Sequence, residues 1–215
     1  NIKNLFKSLK FSYIYKMFRR FETSRTEIID ITKAWVAISI AFAIVLSNRA
    51  IFTGSFFFNL LLAALTVGIG FLFHELSHKV VAQRYGAVAE FRAFDYMLVL
   101  AIAMSFLGFI FAAPGAVMIA GGHINIKRNG KISAAGPITN LVLALIFLII
   151  MKLNFSNAVN LIGKYGFLIN SWLALFNMLP FWNFDGRKIF VWSKLVWASV
   201  VAVAIIFLFV LSPGF

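Results

Sequence analysis

The stretch Phe71-Leu72-Phe73-His74-Glu75-Leu76-Ser77-His78 decides how the rest of the chain is read, because it sets H-E-x-x-H at the end of an apolar run. Residues four apart share one face of a helix, so His74 and His78 can hold a single Zn2+ with Glu75 beside them as a candidate base. No charged residue interrupts Phe56 to Phe73. At ~1.5 Å per residue the motif is therefore approached through about a bilayer's thickness of helix. A zinc site at that depth would cut or bind things within the membrane.

Outward from this stretch the composition agrees. Of the 215 residues 62% are apolar and seven are acidic, and several uncharged runs reach the length of a membrane span. A soluble domain with that much apolar sequence would lack polar surface to face water. The net charge of +13 could suggest nucleic acid. However, the Lys and Arg residues gather at the edges of apolar runs, where membrane topology and anionic lipid account for them, and no nucleic-acid partner is expected. The chain has no cysteine, which excludes disulfides and thiolate metal sites.

Residues 1–21 mix Lys3, Lys7, Lys10, Lys16, Arg19 and Arg20 with apolar residues at rough helical spacing. This reads either as an interfacial helix on an anionic leaflet or as a solvated basic tail, and in both cases it marks the cytosolic side. The first 30 residues lack an uninterrupted apolar core, so no cleavable signal peptide is expected. The expected organisation is a basic interfacial segment, 1–30, followed by one membrane domain, 31–215. The expected fold is an all-α polytopic membrane protein of about six transmembrane helices, with a short β-like or re-entrant segment near the motif.

Spans are placed at about 31–47, 56–85 (with Gly86 as a stop), 132–151, 161–179 and 191–211. Tyr96 to Phe111 forms a further apolar run that either spans or re-enters. Residues 88–94 partly alternate and read as a strand. The glycine-flanked piece 115–121 reads as a strand or a re-entrant element.

Catalytic zinc normally takes three protein ligands and leaves one position for water. The acids are Glu22, Glu27, Asp30, Glu75, Glu90, Asp95 and Asp185. Arg84 stands where a metzincin would offer its third His. A helix continuing through Tyr85 carries Glu90 and Asp95 away from the motif. Asp185 remains, between Pro180, which ends a helix, and Gly186, which permits a tight backbone. A carboxylate amid Phe, Trp and Leu needs a cation, which a metal would supply. The alternative is an interfacial Asp paired with Arg187 or Lys188.

Together these segments resemble the site-2 protease family of intramembrane zinc metalloproteases. His74 to His78 match its H-E-x-x-H. Asn177, Pro180, Asp185 and Gly186 match N-x-x-P-x-x-x-x-D-G, and Gly136 to Asn140 match G-x-x-x-N, in the family's order over about residues 55–190. The resemblance implies one Zn2+ per chain held by His74, His78 and Asp185, with Glu75 as general base. Asn140 and Asn177 would lie near the metal, positioning substrate backbone or polarising the scissile carbonyl. For each Asn the plainer reading is a helix-to-helix hydrogen bond.

The implied activity is hydrolysis of peptide bonds in or near transmembrane segments of membrane-protein substrates, in a multi-pass protein of the cell membrane whose site opens to the cytosol. The chain departs from the family pattern in the added apolar run Tyr96 to Phe111. If Asp185 is to meet the two histidines, residues 86–131 must begin and end on the same side of the membrane. Two other readings remain: a membrane zincin that uses Glu90 as third ligand, and a non-catalytic protein, whether a metal-binding transporter or an inactive protease relative.

Overall fold

A computed structural model describes residues 22–51, 53–110, 113–121 and 123–212. The basic stretch 1–21 lies outside the described residues. The architecture is mostly helical with one two-stranded sheet. Its order is α1 (Arg25–Leu46), α2 (Gly54–Arg84), β1 (Val88–Ala93), α3 (Asp95–Ser105), β2 (Gly115–Ala120), α4 (Ile126–Leu153), α5 (Asn157–Asn177), α6 (Asp185–Trp192) and α7 (Lys194–Phe209).

Three of these helices, α1, α2 and α4, are long and apolar enough to cross a membrane, against the about six expected from the sequence; α3 and α7 are shorter apolar helices. The apolar stretch 191–211 is broken, because Ser193 leaves helical geometry to cap α7 through the Val196 N–H. In α4 the apolar positions divide by face. Leu141, Ala144 and Phe147 are buried, whereas Val142, Leu145, Ile146 and Ile149 are exposed as a continuous stripe. A water-facing helix would not present such a stripe, and a lipid-facing one does.

Helix α2 is not regular throughout. Residues Ala64–Gly68 widen to a π turn, which disturbs the i to i−4 ladder. In an apolar setting a loosened carbonyl needs another donor, and the Trp35 indole N–H of α1 donates to the Ala64 carbonyl at 3.2 Å. Gly68 makes room, since a Cβ there would lie 2.6 Å from the Trp35 ring nitrogen. Helices α4 and α5 meet closely at small residues in the same way, with Gly163 against Met151 and Gly166 against Phe147.

Helix α2 stops at Tyr85, followed by Gly86 with φ +79°. The chain then enters β1, which pairs antiparallel with β2 in the register Val88↔Ala120 to Ala93↔Gly115. The expected strand over 88–94 is present, and 115–121 is a strand as well. Because Ala93 and Gly115 are partners, the excursion through α3 leaves and returns at neighbouring points. Helix α4 begins six residues before the expected start of its span, capped by Asn125, whose side chain accepts from the Arg128 N–H at 2.9 Å.

Candidate metal centre

Four elements deliver the site. Helix α2 carries His74, Glu75 and His78 on consecutive turns, α4 brings Gly136 and Asn140, β2 brings the Val117 backbone, and the start of α6 brings Asp185. The turn between α5 and α6 is held by backbone chemistry. The Met178 carbonyl at the end of α5 accepts from the Trp197 indole at 2.7 Å. A Cβ on Gly186 would come within 2.1 Å of the same oxygen, so only glycine allows the chain to pass here and present Asp185.

The Nε2 atoms of His74 and His78 lie 3.3 and 3.1 Å from the same Asp185 oxygen, Oδ2. All three residues are buried. Their protonation is fixed from outside the cluster. His78 Nδ1 sits 2.8 Å from the Ile132 carbonyl, which can only accept, so Nδ1 must carry the proton. His74 Nδ1 sits 2.6 Å from Asn140 Oδ1. The Asn140 amide cannot be turned over, because its Nδ2 donates to the Gly70 carbonyl at 3.1 Å and to Asn170 Oδ1 at 3.0 Å. His74 Nδ1 is therefore also the donor.

With both Nδ1 positions protonated, two Nε2 lone pairs face a carboxylate oxygen. Three such atoms repel one another unless a proton or a cation stands between them. The donor set fits a metal: two imidazole nitrogens and a carboxylate oxygen within 4.8 Å of one another, with each imidazole oriented by a hydrogen bond from its far nitrogen. No other such group occurs among the described residues.

Asp185 opens α6, outside the three long apolar helices. Burial opposes its ionisation; when protons rather than a cation stand between the three atoms, the charges of His78 and His74 and their Nε2–H donors outweigh burial and hold the carboxyl well below the usual carboxylate range. Its second oxygen lies 3.7 Å from Lys188 Nζ. The two sequence readings of Asp185 thus coexist on different oxygens, while Arg187 donates to the Trp182 carbonyl at 3.2 Å.

Glu75, half-buried, accepts from the Val117 N–H at 3.2 Å. Gly136 faces the imidazoles, and a Cβ there would fall 2.5 Å from both His74 Cε1 and His78 Nε2. The absence of a side chain at 136 leaves the space that a third party in the site would use.

Glu90 forms an ion pair with Arg92, and Asp95 with Lys33 at 2.7 Å, so neither joins the histidines. Asn177 donates to the Leu173 carbonyl of its own helix at 2.9 Å. The amide that does support the cluster from α5 is Asn170, which sequence reasoning passed over. It is fully buried, accepts from Asn140 and donates to the Gly166 carbonyl at 2.9 Å. Its signal was available: it lies two helical turns before Asn177, on the same face, in the middle of an apolar run.

No protein-family model matches the chain, and no solved structure does. A curated protein of Methanocaldococcus jannaschii, named "Putative zinc metalloprotease MJ0611", is 41% identical over 182 residues, covering 84% of this chain and 91% of that protein. Identity at that level over most of both chains means common descent, and the chain belongs to the same family as that protein.

Proposed function

We propose that the chain is a zinc endopeptidase of the site-2 protease type, acting on transmembrane segments of membrane proteins. The observation that carries this is the convergence of His74 Nε2, His78 Nε2 and Asp185 Oδ2 with Glu75 one residue along the same helix. Zinc held by these three residues supplies Lewis acidity toward the scissile carbonyl and makes water acidic enough to lose a proton near neutral pH.

Glu75 is the base in this reading. It takes a proton from the attacking water and returns it to the leaving amine. The Val117 N–H holds one of its oxygens, which ties the carboxylate to the strand. Asn140 keeps His74 in the tautomer that offers Nε2, and Asn170 keeps Asn140 from turning. Asn177 is assigned to the substrate side of the site, where its carbonyl oxygen can accept.

A helical substrate hides its carbonyls in internal hydrogen bonds and must unwind before cleavage. The hairpin offers a place for this. Val117 and Phe91 are partners whose N–H groups both point away from each other, to Glu75 and to Glu27. By alternation, Gly115, Val117 and Ile119 present their backbone groups to the outer edge of β2, on the side of Glu75. An unwound substrate would add there as a third strand.

The chain lies across the membrane with its N-terminus inside and its catalytic end toward the cytosol. Helix α3, about 16 Å long, is too short to span and re-enters, so β1 and β2 share one side.

The test is metal content and cleavage of a transmembrane peptide by purified protein. Wild type should hold one zinc and cleave, Asp185→Ala should lose both, and Glu75→Gln should keep zinc and lose cleavage. A Glu75→Gln variant with full activity would remove the assigned base. Zinc transport into proteoliposomes without hydrolysis would favour a transporter.

A further inference from the structure

The proposed mechanism leaves unused a buried ion pair one residue beyond the metal cluster. Lys79 and Glu27 are both fully buried, with Lys79 Nζ 2.6 Å from Glu27 Oε2 and 2.9 Å from Thr23 Oγ1. The other Glu27 oxygen, Oε1, accepts from the Phe91 N–H at 2.9 Å. Gln83, one turn further along α2, donates to the Ala89 carbonyl at 3.1 Å.

These contacts cover the outer edge of β1 with side chains from α1 and α2. Phe91 is itself the register partner of Val117, whose N–H holds Glu75. A closed circuit results. It runs from His78 to Lys79, across to Glu27 on α1, through the Phe91 N–H into the hairpin, across one strand pair to Val117, and back to Glu75 on α2.

We infer that Glu27 is a positioning residue: by accepting the buried Phe91 N–H it fixes where the hairpin stands against α2, and so where the free β2 edge meets Glu75. The kinetic part of this inference rests on the function proposed above; the placement of the hairpin does not. The division of labour within the pair is physical. A buried N–H without an acceptor is costly, and Glu27 satisfies it. A buried carboxylate without a cation is also costly, and Lys79 neutralises it. The accepting oxygen does the positioning, and the charge exists to let that oxygen be buried.

Removing one charge alone would leave the other buried without this opposite charge, so single variants would confuse positioning with misfolding. Two double variants separate the roles. Glu27→Gln with Lys79→Met deletes both charges and keeps a carbonyl acceptor for Phe91. Glu27→Leu with Lys79→Met deletes both charges and the acceptor while conserving volume. Both should bind zinc at the wild-type ratio, with the Leu/Met protein melting a few degrees lower because its Phe91 N–H has lost its acceptor.

The expected result is that amide exchange over 88–93 and 115–120 stays near wild type in the Gln/Met protein and speeds up by about tenfold or more in the Leu/Met protein. Cleavage of a transmembrane peptide should follow, with kcat/KM within about threefold of wild type in the first and at least about tenfold lower in the second, chiefly through KM. Equal exchange in the two doubles, or faster exchange spread evenly through the helices instead of confined to the two strands, would overturn the inference. A wild type that holds no zinc and cleaves nothing would instead sink the proposed function, because the exchange comparison reads the hairpin directly.

Discussion

At the scale of single residues, the site depends on the far nitrogens of its two histidines as much as on the near ones. Asn140 and the Ile132 carbonyl set both tautomers. Losing such an orienting partner typically costs 10- to 100-fold in metal affinity. Asn140→Ala should therefore weaken zinc binding by about that factor in a competition titration with a chelating dye, and Asn170→Ala should weaken it in the same direction by less. Gly136→Ala is the steric counterpart. Its methyl would fall 2.5 Å from two imidazole atoms, so zinc affinity should drop while secondary structure by circular dichroism is unchanged. Wild-type zinc affinity in Gly136→Ala would mean that the imidazoles have room to retreat, against this close packing.

At the scale of elements, the hairpin offers a clean experiment because its two edges differ. The Val117 N–H points away from β1, so proline at 117 deletes the donor to Glu75 without deleting a ladder bond, and edge strands tolerate proline when its missing N–H faces outward. Val117→Pro should retain zinc and fold, and lose cleavage by about tenfold or more in a peptide assay. The packing of α4 on α5 makes a different prediction. A Cβ at Gly166 would fall 2.3 Å from the Phe147 ring. Gly166→Val should destabilise the bundle by about 1–3 kcal/mol, read as a lower thermal midpoint, with one zinc still bound per chain at low temperature.

At the scale of the whole molecule, a metal that joins α2 to the start of α6 ties together parts of the chain over a hundred positions apart. A ligand that binds only the folded state adds about 2.7 kcal/mol at a hundred times its dissociation constant. Chelation should lower the thermal midpoint of wild type by several degrees, zinc should restore it, and Asp185→Ala should show neither change. Equal midpoints with and without chelator in wild type would argue against a bound structural tie. The exposed apolar stripe on α4 bears on the same scale, since detergent or lipid must cover Val142, Leu145, Ile146 and Ile149 throughout any such measurement.

What could be read from residues alone was whatever depends on short spacing or on bulk composition. The i, i+4 histidines, the helix stop at Gly86, the strands flanking 96–111 and the apolar character of the chain are local properties, and each holds in the structure. Asp185 could be reached by elimination because only seven acids exist.

The tertiary structure decided what depends on the meeting of distant segments. It split the last apolar stretch at Ser193, began α1 and α4 earlier than their apolar runs, and left three helices among the described residues meeting the length and apolarity of a membrane span. It set Asn170 behind Asn140, and it buried Glu27 against Lys79 across 52 positions of chain. Spacing along a chain fixes which side chains share a face of one helix, but a buried hydrogen bond between helices is settled by the packing of both. That packing is a balance over many contacts at once, and no single segment carries it.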